Sequence, residues 1–211
     1  MENIEQLVET LSKAAAAVKP APHPFLLSLK WLAIAAVYLA MSLAISGVRA
    51  DLLQKFHEPW FIAEIAVLFG IFIATALSAA VLSFPDLYQK RGTAFAPVWM
   101  FALFVLVMFF AWRADDPPAP LPMHSFECTF SIMLLSLLPT VAIFYAVRKF
   151  ASTHYRSSGS VAVLFAFSIG ALWLRLYEPN DSIIHVIEWH YLPMVGFGAA
   201  GLWLGKVLLK W

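Results

Sequence analysis

A chain of 211 residues that is 62% apolar, 13% charged and +1 in formal charge is too poor in charge for an ordinary soluble domain, where about 25% of residues are charged. A globular core of this length cannot bury so much apolar surface, so the excess must face lipid. The basic residues form no patch long enough for nucleic-acid binding, and one cysteine, Cys128, excludes an intramolecular disulfide and any Cys-rich metal or iron–sulfur site.

The first predicted element is an amphipathic helix over residues 2–18. Ile4, Leu7, Val8, Leu11, Ala15 and Val18 recur at helical spacing, with Glu5, Glu9, Ser12 and Lys13 on the other faces. Pro20, Pro22 and Pro24 end it and make a stiff, extended connector. The membrane surface, the protein's own loops and a partner's groove could each cover the stripe. A helix lying on a membrane carries Lys and Arg on its polar face, whereas this one has Glu2, Glu5 and Glu9 before its first Lys. That favours the groove of another protein. Residues 1–24 therefore read as a binding segment with its connector, and residues 25–211 as a membrane domain.

Six apolar runs follow: Phe25–Val48, Trp60–Ser83, Phe95–Trp112, Phe126–Val147, Gly159–Tyr177 and Ile183–Leu209. Each is long enough to cross a bilayer as a helix, and the last is long enough to tilt. No A-x-A-like cleavage site follows the first run, so no cleavable signal peptide is expected. The connections are short and rich in charge and turn residues, which makes successive spans antiparallel neighbours. No segment alternates with the period of a membrane strand, so the fold is an all-α membrane protein of six transmembrane helices with a short cytoplasmic N-terminal helix.

Orientation follows from the basic residues. With the N-terminus inside, Lys13, Lys19, Lys30, Lys90, Arg91, Arg148, Lys149, Arg156, Lys206 and Lys210 fall on the inner side, against Arg49, Lys55, Arg113 and Arg175 on the outer. Both termini are then cytoplasmic. Trp60, Trp99, Trp112, Trp189, Tyr88, Tyr177 and Tyr191 sit near run ends, as expected of an interfacial belt.

Chemistry-bearing residues gather at the outer ends of the spans. His57, Glu58, His124, Glu127, Cys128, Glu178, Asp181, His185, Glu188 and His190 all fall there. Imidazole, thiol and carboxylate together suit a soft or borderline metal, and a thiol can also be oxidised, so this face is the candidate for sensing a signal. The alternative is that these groups are hydrated span ends that hydrogen-bond across the bundle. His124 and Glu127 are three apart on one helical face, as are His185 and Glu188, whereas His190 is five on from His185 and faces elsewhere. No metal-binding motif of recognised spacing occurs, so whether a metal binds stays open. Glu64 and Arg175 lie about a turn inside the spans, where ionisable groups face the bundle interior, and Arg175 is expected to pair with Glu64 or Glu188.

No nucleophile elbow, nucleotide loop or pair of facing mid-membrane histidines is present, so neither catalysis nor a cofactor is expected. A small transporter or channel-like protein, with Glu64, Arg175 and Glu188 lining a path, is the competing class, although broken inverted repeats are not apparent.

The order of several short motifs resembles the NrsF-type anti-sigma factors, six-span inner-membrane proteins of proteobacteria. The motifs are Ile4-Glu5-Gln6-Leu7-Val8-Glu9-Thr10-Leu11, Val18-Lys19-Pro20, Arg49-Ala50-Asp51-Leu52, Ser83-Phe84-Pro85, Cys128, Glu178-Pro179-Asn180-Asp181-Ser182 and Trp189-His190. The resemblance implies a cytoplasmic N-terminal segment, here Ile4, Leu7, Val8 and Leu11, that holds an extracytoplasmic-function sigma factor at the membrane and releases it on an envelope stress signal. It also implies sensing by two outer-side cysteines. In this chain Cys128 stands alone, and Glu178 falls where the second would be.

Overall fold

The structure, a computed structural model, describes residues 4–14, 22–85, 91–114, 125–150 and 152–210. Helices dominate the described residues, and none of these residues is in a strand. Helix α1 spans Ile4–Ala14. The long helices are α2 (Pro24–Ser46), α4 (Pro59–Leu82), α5 (Arg91–Ala114), α6 (Phe126–Arg148), α7 (Tyr155–Tyr177) and α8 (Ile183–Leu208), with a single turn, α3 (Leu52–Lys55), after the first of them. All six long helices are long and apolar enough to cross a membrane. Each contains most of one apolar run read from the sequence. Helices α5 and α7 start four residues earlier than their runs, because helical hydrogen bonding continues into the polar residues that flank an apolar core.

The helices divide by environment. In α4 and α7, 67% and 72% of the apolar span is buried inside the protein, against 22–28% in the other four. Helix α7 packs against α4, α6 and α8, while α2 lies against α4 and α7 and α5 against α4. The sequence of α7 explains its central place. Ser158, Gly159, Ala162, Ala166, Ser168, Gly170 and Ala171 are all buried, and such small side chains let neighbouring backbones come close. The closest approach is to α8. A Cβ at Gly159 would lie 2.5 Å from the Gly201 carbonyl and 2.5 Å from the Gly205 Cα, and one at Gly205 would collide with the Tyr155 carbonyl. Only glycine fits this seam, and Ser160 Oγ pins it by donating to the Gly198 carbonyl at 2.8 Å.

The outward faces of α2, α5, α6 and α8 are dominated by large apolar side chains such as Ile45, Trp99, Leu138 and Trp203. Water would not tolerate so continuous an apolar surface, whereas lipid would. Tyr191 departs from the expected interfacial belt: it is buried, with Phe104 edge-on at 4.6 Å.

Candidate functional site

One end of the bundle collects the end of α2, α3, the start of α4, the start of α6, the end of α7 and the first turns of α8. Its backbone frame begins with Gly47, whose φ of 86° ends α2 and turns the chain inward. The Arg49 N–H then donates to the Leu176 carbonyl at 3.0 Å, docking this loop on the end of α7.

Two clusters occupy this end. The first is an ion network built around two buried arginines. Arg49 grips Asp51 through Nε and Nη2 (2.7 and 2.8 Å) and Asp181 through Nη1 and Nη2 (2.9 and 2.7 Å). Lys55 reaches Asp181 at 2.9 Å and Glu58 at 2.7 Å. Arg175 donates from Nε to Glu64 at 2.7 Å and from Nη1 to Asp181 at 2.9 Å. Tyr191 Oη donates to the same Glu64 oxygen at 2.5 Å. Phe61 lies between the two guanidinium groups, 5.7 Å from that of Arg49 and 4.9 Å from that of Arg175. Burial alone would raise the Asp181 carboxyl, but hydrogen bonds from Arg49, Lys55 and Arg175 outweigh it and hold the group well below the usual carboxylate range. The Asp51 hydrogen bonds, followed by those of Asp181, raise Arg49 above its ordinary value despite its burial. Arg49 and Asp181 are 132 residues apart and join two loops that sequence inspection treats separately.

The second cluster joins Cys128, Glu178, His185 and His190, each offering a ligand-type atom within 4.8 Å of the others. Cys128 Sγ lies 3.5 and 3.3 Å from the two Glu178 oxygens and 3.7 Å from His185 Nε2. His185 Nε2 is 3.4 Å from Glu178 Oε1, and His190 Nε2 is 3.0 Å from Oε2. That last approach is close but not aligned as a hydrogen bond, so both nitrogens of His190 and Nδ1 of His185 are buried without a hydrogen-bond partner. Each histidine is 1% exposed. Burial would raise the Glu178 carboxyl, yet the His190 imidazole beside it, with help from Cys128 and His185, keeps it below its ordinary value.

The presence of His190 in this cluster corrects the expectation that it faces away from His185. Residues Val186–Tyr191 form a wide π turn, in which hydrogen bonds run from i to i+5, so two residues five apart share a face. Their rings meet edge to face with centroids 5.0 Å apart. Pro193 explains why the helix widens here. It has no N–H to give to the carbonyl of Trp189, four residues back, and that carbonyl instead accepts from Thr129 Oγ1 at 2.6 Å. Thr129 follows Cys128 in the chain, so the same contact holds the thiol against the π turn. Sequence reading could have taken Pro193 as the signal.

The remaining sequence candidates are placed differently. Glu127 and Glu188 are exposed and stand outside the cluster, as does His57, whose Nδ1 meets the Leu53 carbonyl. Arg175 pairs with Glu64 and not with Glu188. His124 lies outside the described residues. Ile4, Leu7, Val8 and Leu11 of α1 are all exposed, between 51% and 76%. A Glu9–Lys13 ion pair at 2.7 Å crosses the other face of that helix. Ala15 and Val18, which would continue the stripe, lie outside the described residues.

Comparison with known proteins bears on both regions. Residues 11–211 match the family described as negative regulator of sigma F, NrsF. The chain belongs to that family. It is also similar to the anti-sigma-F factor NrsF of Caulobacter vibrioides, with 28% identity over 169 residues, covering 77% of this chain and 78% of the relative. No solved structure matches. Membership places the chain among regulators of transcription that act on sigma factors, not in an enzyme class. The matched region includes both clusters and begins at Leu11, near the end of the exposed stripe of α1.

Proposed function

We propose that the protein is a bacterial inner-membrane anti-sigma factor that sequesters an extracytoplasmic-function sigma factor through α1 and releases it on an envelope stress signal. Both termini are cytoplasmic, residues 1–24 are the sigma-binding segment with its connector, and residues 25–211 anchor that segment through six spans. The ion network and the Cys128 cluster then lie at the outer face.

The single observation that carries this reading is the exposed stripe of Ile4, Leu7, Val8 and Leu11 in a member of a sigma-regulating family. A short helix in water gains little from its own hydrogen bonds and needs a surface for its apolar face. Burying each of these side chains in a groove would contribute about 1.5–3 kcal/mol before the costs of association. The excess of Lys and Arg on the α1 side of the membrane supports the cytoplasmic placement. Outer events would reach α1 by shifting the spans between two arrangements that differ in how accessible the helix is.

The test is co-purification of the tagged full-length protein from its native host. A sigma factor is expected in the eluate, and deleting residues 1–20 is expected to remove it while the protein stays in the membrane. A sigma factor that co-purifies equally with the deletion variant would refute α1 as the binding element.

A further inference from the structure

We propose that Cys128, Glu178, His185 and His190 form a binding site for one borderline divalent transition-metal cation of the zinc(II) type. The site stands apart from whatever α1 binds, since its evidence is local to the start of α6, the α7–α8 loop and the π turn.

Geometry is the first argument. Four-coordinate zinc takes sulfur at about 2.3 Å and nitrogen or oxygen at about 2.0–2.2 Å, so ligand atoms around one tetrahedral ion lie roughly 3.3–3.7 Å apart. Cys128 Sγ, Glu178 and His185 Nε2 already stand 3.3–3.7 Å from one another, and His190 Nε2 stands 3.0 Å from Glu178. A cation among them requires only small side-chain rotations.

Unmet hydrogen bonding is the second argument. His190 is 1% exposed and neither of its ring nitrogens has a hydrogen-bond partner, although Nε2 points towards the Glu178 carboxylate. A buried polar group without a hydrogen bond costs free energy. A metal ion would satisfy the imidazole, on a face where the π turn before Pro193 already places both histidines.

Charge is the third. The neighbouring cations Arg49, Lys55 and Arg175 pair with Asp51, Asp181, Glu58 and Glu64. A dication bound by one thiolate, one carboxylate and two neutral imidazoles is electrically neutral, which suits a site at the boundary of an apolar bundle. Binding displaces the thiol proton of Cys128 to solvent, together with any proton held by the imidazoles. A sulfur and two nitrogens favour a borderline ion over magnesium or calcium, which take oxygen.

The experiment uses the full chain, purified in detergent with any tag removed, stripped with a chelator and titrated with cobalt(II). One equivalent is expected to bind, with a thiolate-to-cobalt charge-transfer band and the intense visible bands of a four-coordinate ion, all lost on adding zinc(II). Cys128→Ser should abolish the charge-transfer band, and His185→Ala and His190→Ala should each weaken binding by roughly tenfold or more. Glu178→Cys, kept reduced so that it cannot form a disulfide with Cys128, adds a second sulfur and should raise the charge-transfer intensity about twofold, a gain that a misfolded variant could not produce. His57→Ala, outside the cluster, should leave binding unchanged. Absence of the charge-transfer band in the wild type, its persistence at full affinity in both histidine variants, or no gain with Glu178→Cys would overturn the site.

Discussion

The polar end of the bundle and helix α1 treat their side chains in opposite ways. At the polar end Arg49, Arg175, Glu64 and Asp181 are interlocked, and the two arginines and Glu64 are almost fully buried. In α1 the arrangement is reversed: the four apolar side chains that define its stripe are all exposed, and its ion pair runs along its own surface. The ion network of the polar end finds its partners within the chain, whereas the apolar stripe of α1 stays exposed. Stability should therefore reside at the polar end and in the spans, and regulation in α1, so that substitutions separate the two properties.

The largest stability loss is expected from breaking the buried pair. Arg175→Leu takes the ion-pair partner from the buried Glu64 carboxyl, and should cost about 3–5 kcal/mol, read as a large fall in Tm in detergent. The double variant Glu64→Leu/Arg175→Leu should lose much less than the sum of the single variants, because no buried charge is then left alone. Additive losses would show that the pair is not coupled.

Next comes the seam between α7 and α8. Gly205→Ala drives a methyl group into the Tyr155 carbonyl and must push the helices apart, at a cost of about 1–3 kcal/mol. Gly196→Ala, where an added Cβ meets nothing within 4 Å, should be neutral or slightly stabilising. Equal effects at the two positions would mean that the seam is looser than it looks.

Asp181→Asn should cost about 1.5–3 kcal/mol near neutral pH, from charge-assisted bonds to three cations. Its pH dependence has a definite sign. The folded-state value lies below the ordinary 3.8, so the stabilisation is fully present above that value and is lost as pH falls below it. The gap between wild type and variant should therefore be constant from pH 5 to 8 and shrink in stronger acid. A gap that opened as pH fell would contradict the assignment.

Much of the architecture is legible in the sequence, for a simple physical reason. An apolar run of membrane length is a signal that no tertiary contact needs to complete, and all six runs became helices. The central role of α7 was less visible, because hydropathy ranks spans by apolar content while packing depends on small residues such as Gly159, Ala166 and Gly170. Two features of the polar end were not legible at all from helical spacing. Arg49 and Asp181 meet only because two distant loops dock on the end of α7. His190 joins His185 only because the helix widens before Pro193, and a spacing of five read on a regular helix points the wrong way. In the first case the deciding interaction is long-range, between residues that local periodicity cannot connect; in the second it is a local break in that periodicity, at Pro193.

The smallest stability effects are expected in α1, where Leu7→Asp and Leu11→Asp alter exposed positions and should change stability by no more than about 0.5 kcal/mol. The most direct test of the central claim is therefore a transcriptional reporter for the cognate sigma factor, in cells producing these variants at wild-type levels in the membrane. The account predicts that both variants release the sigma factor and raise reporter output in the absence of stress. Normal repression by both would contradict it.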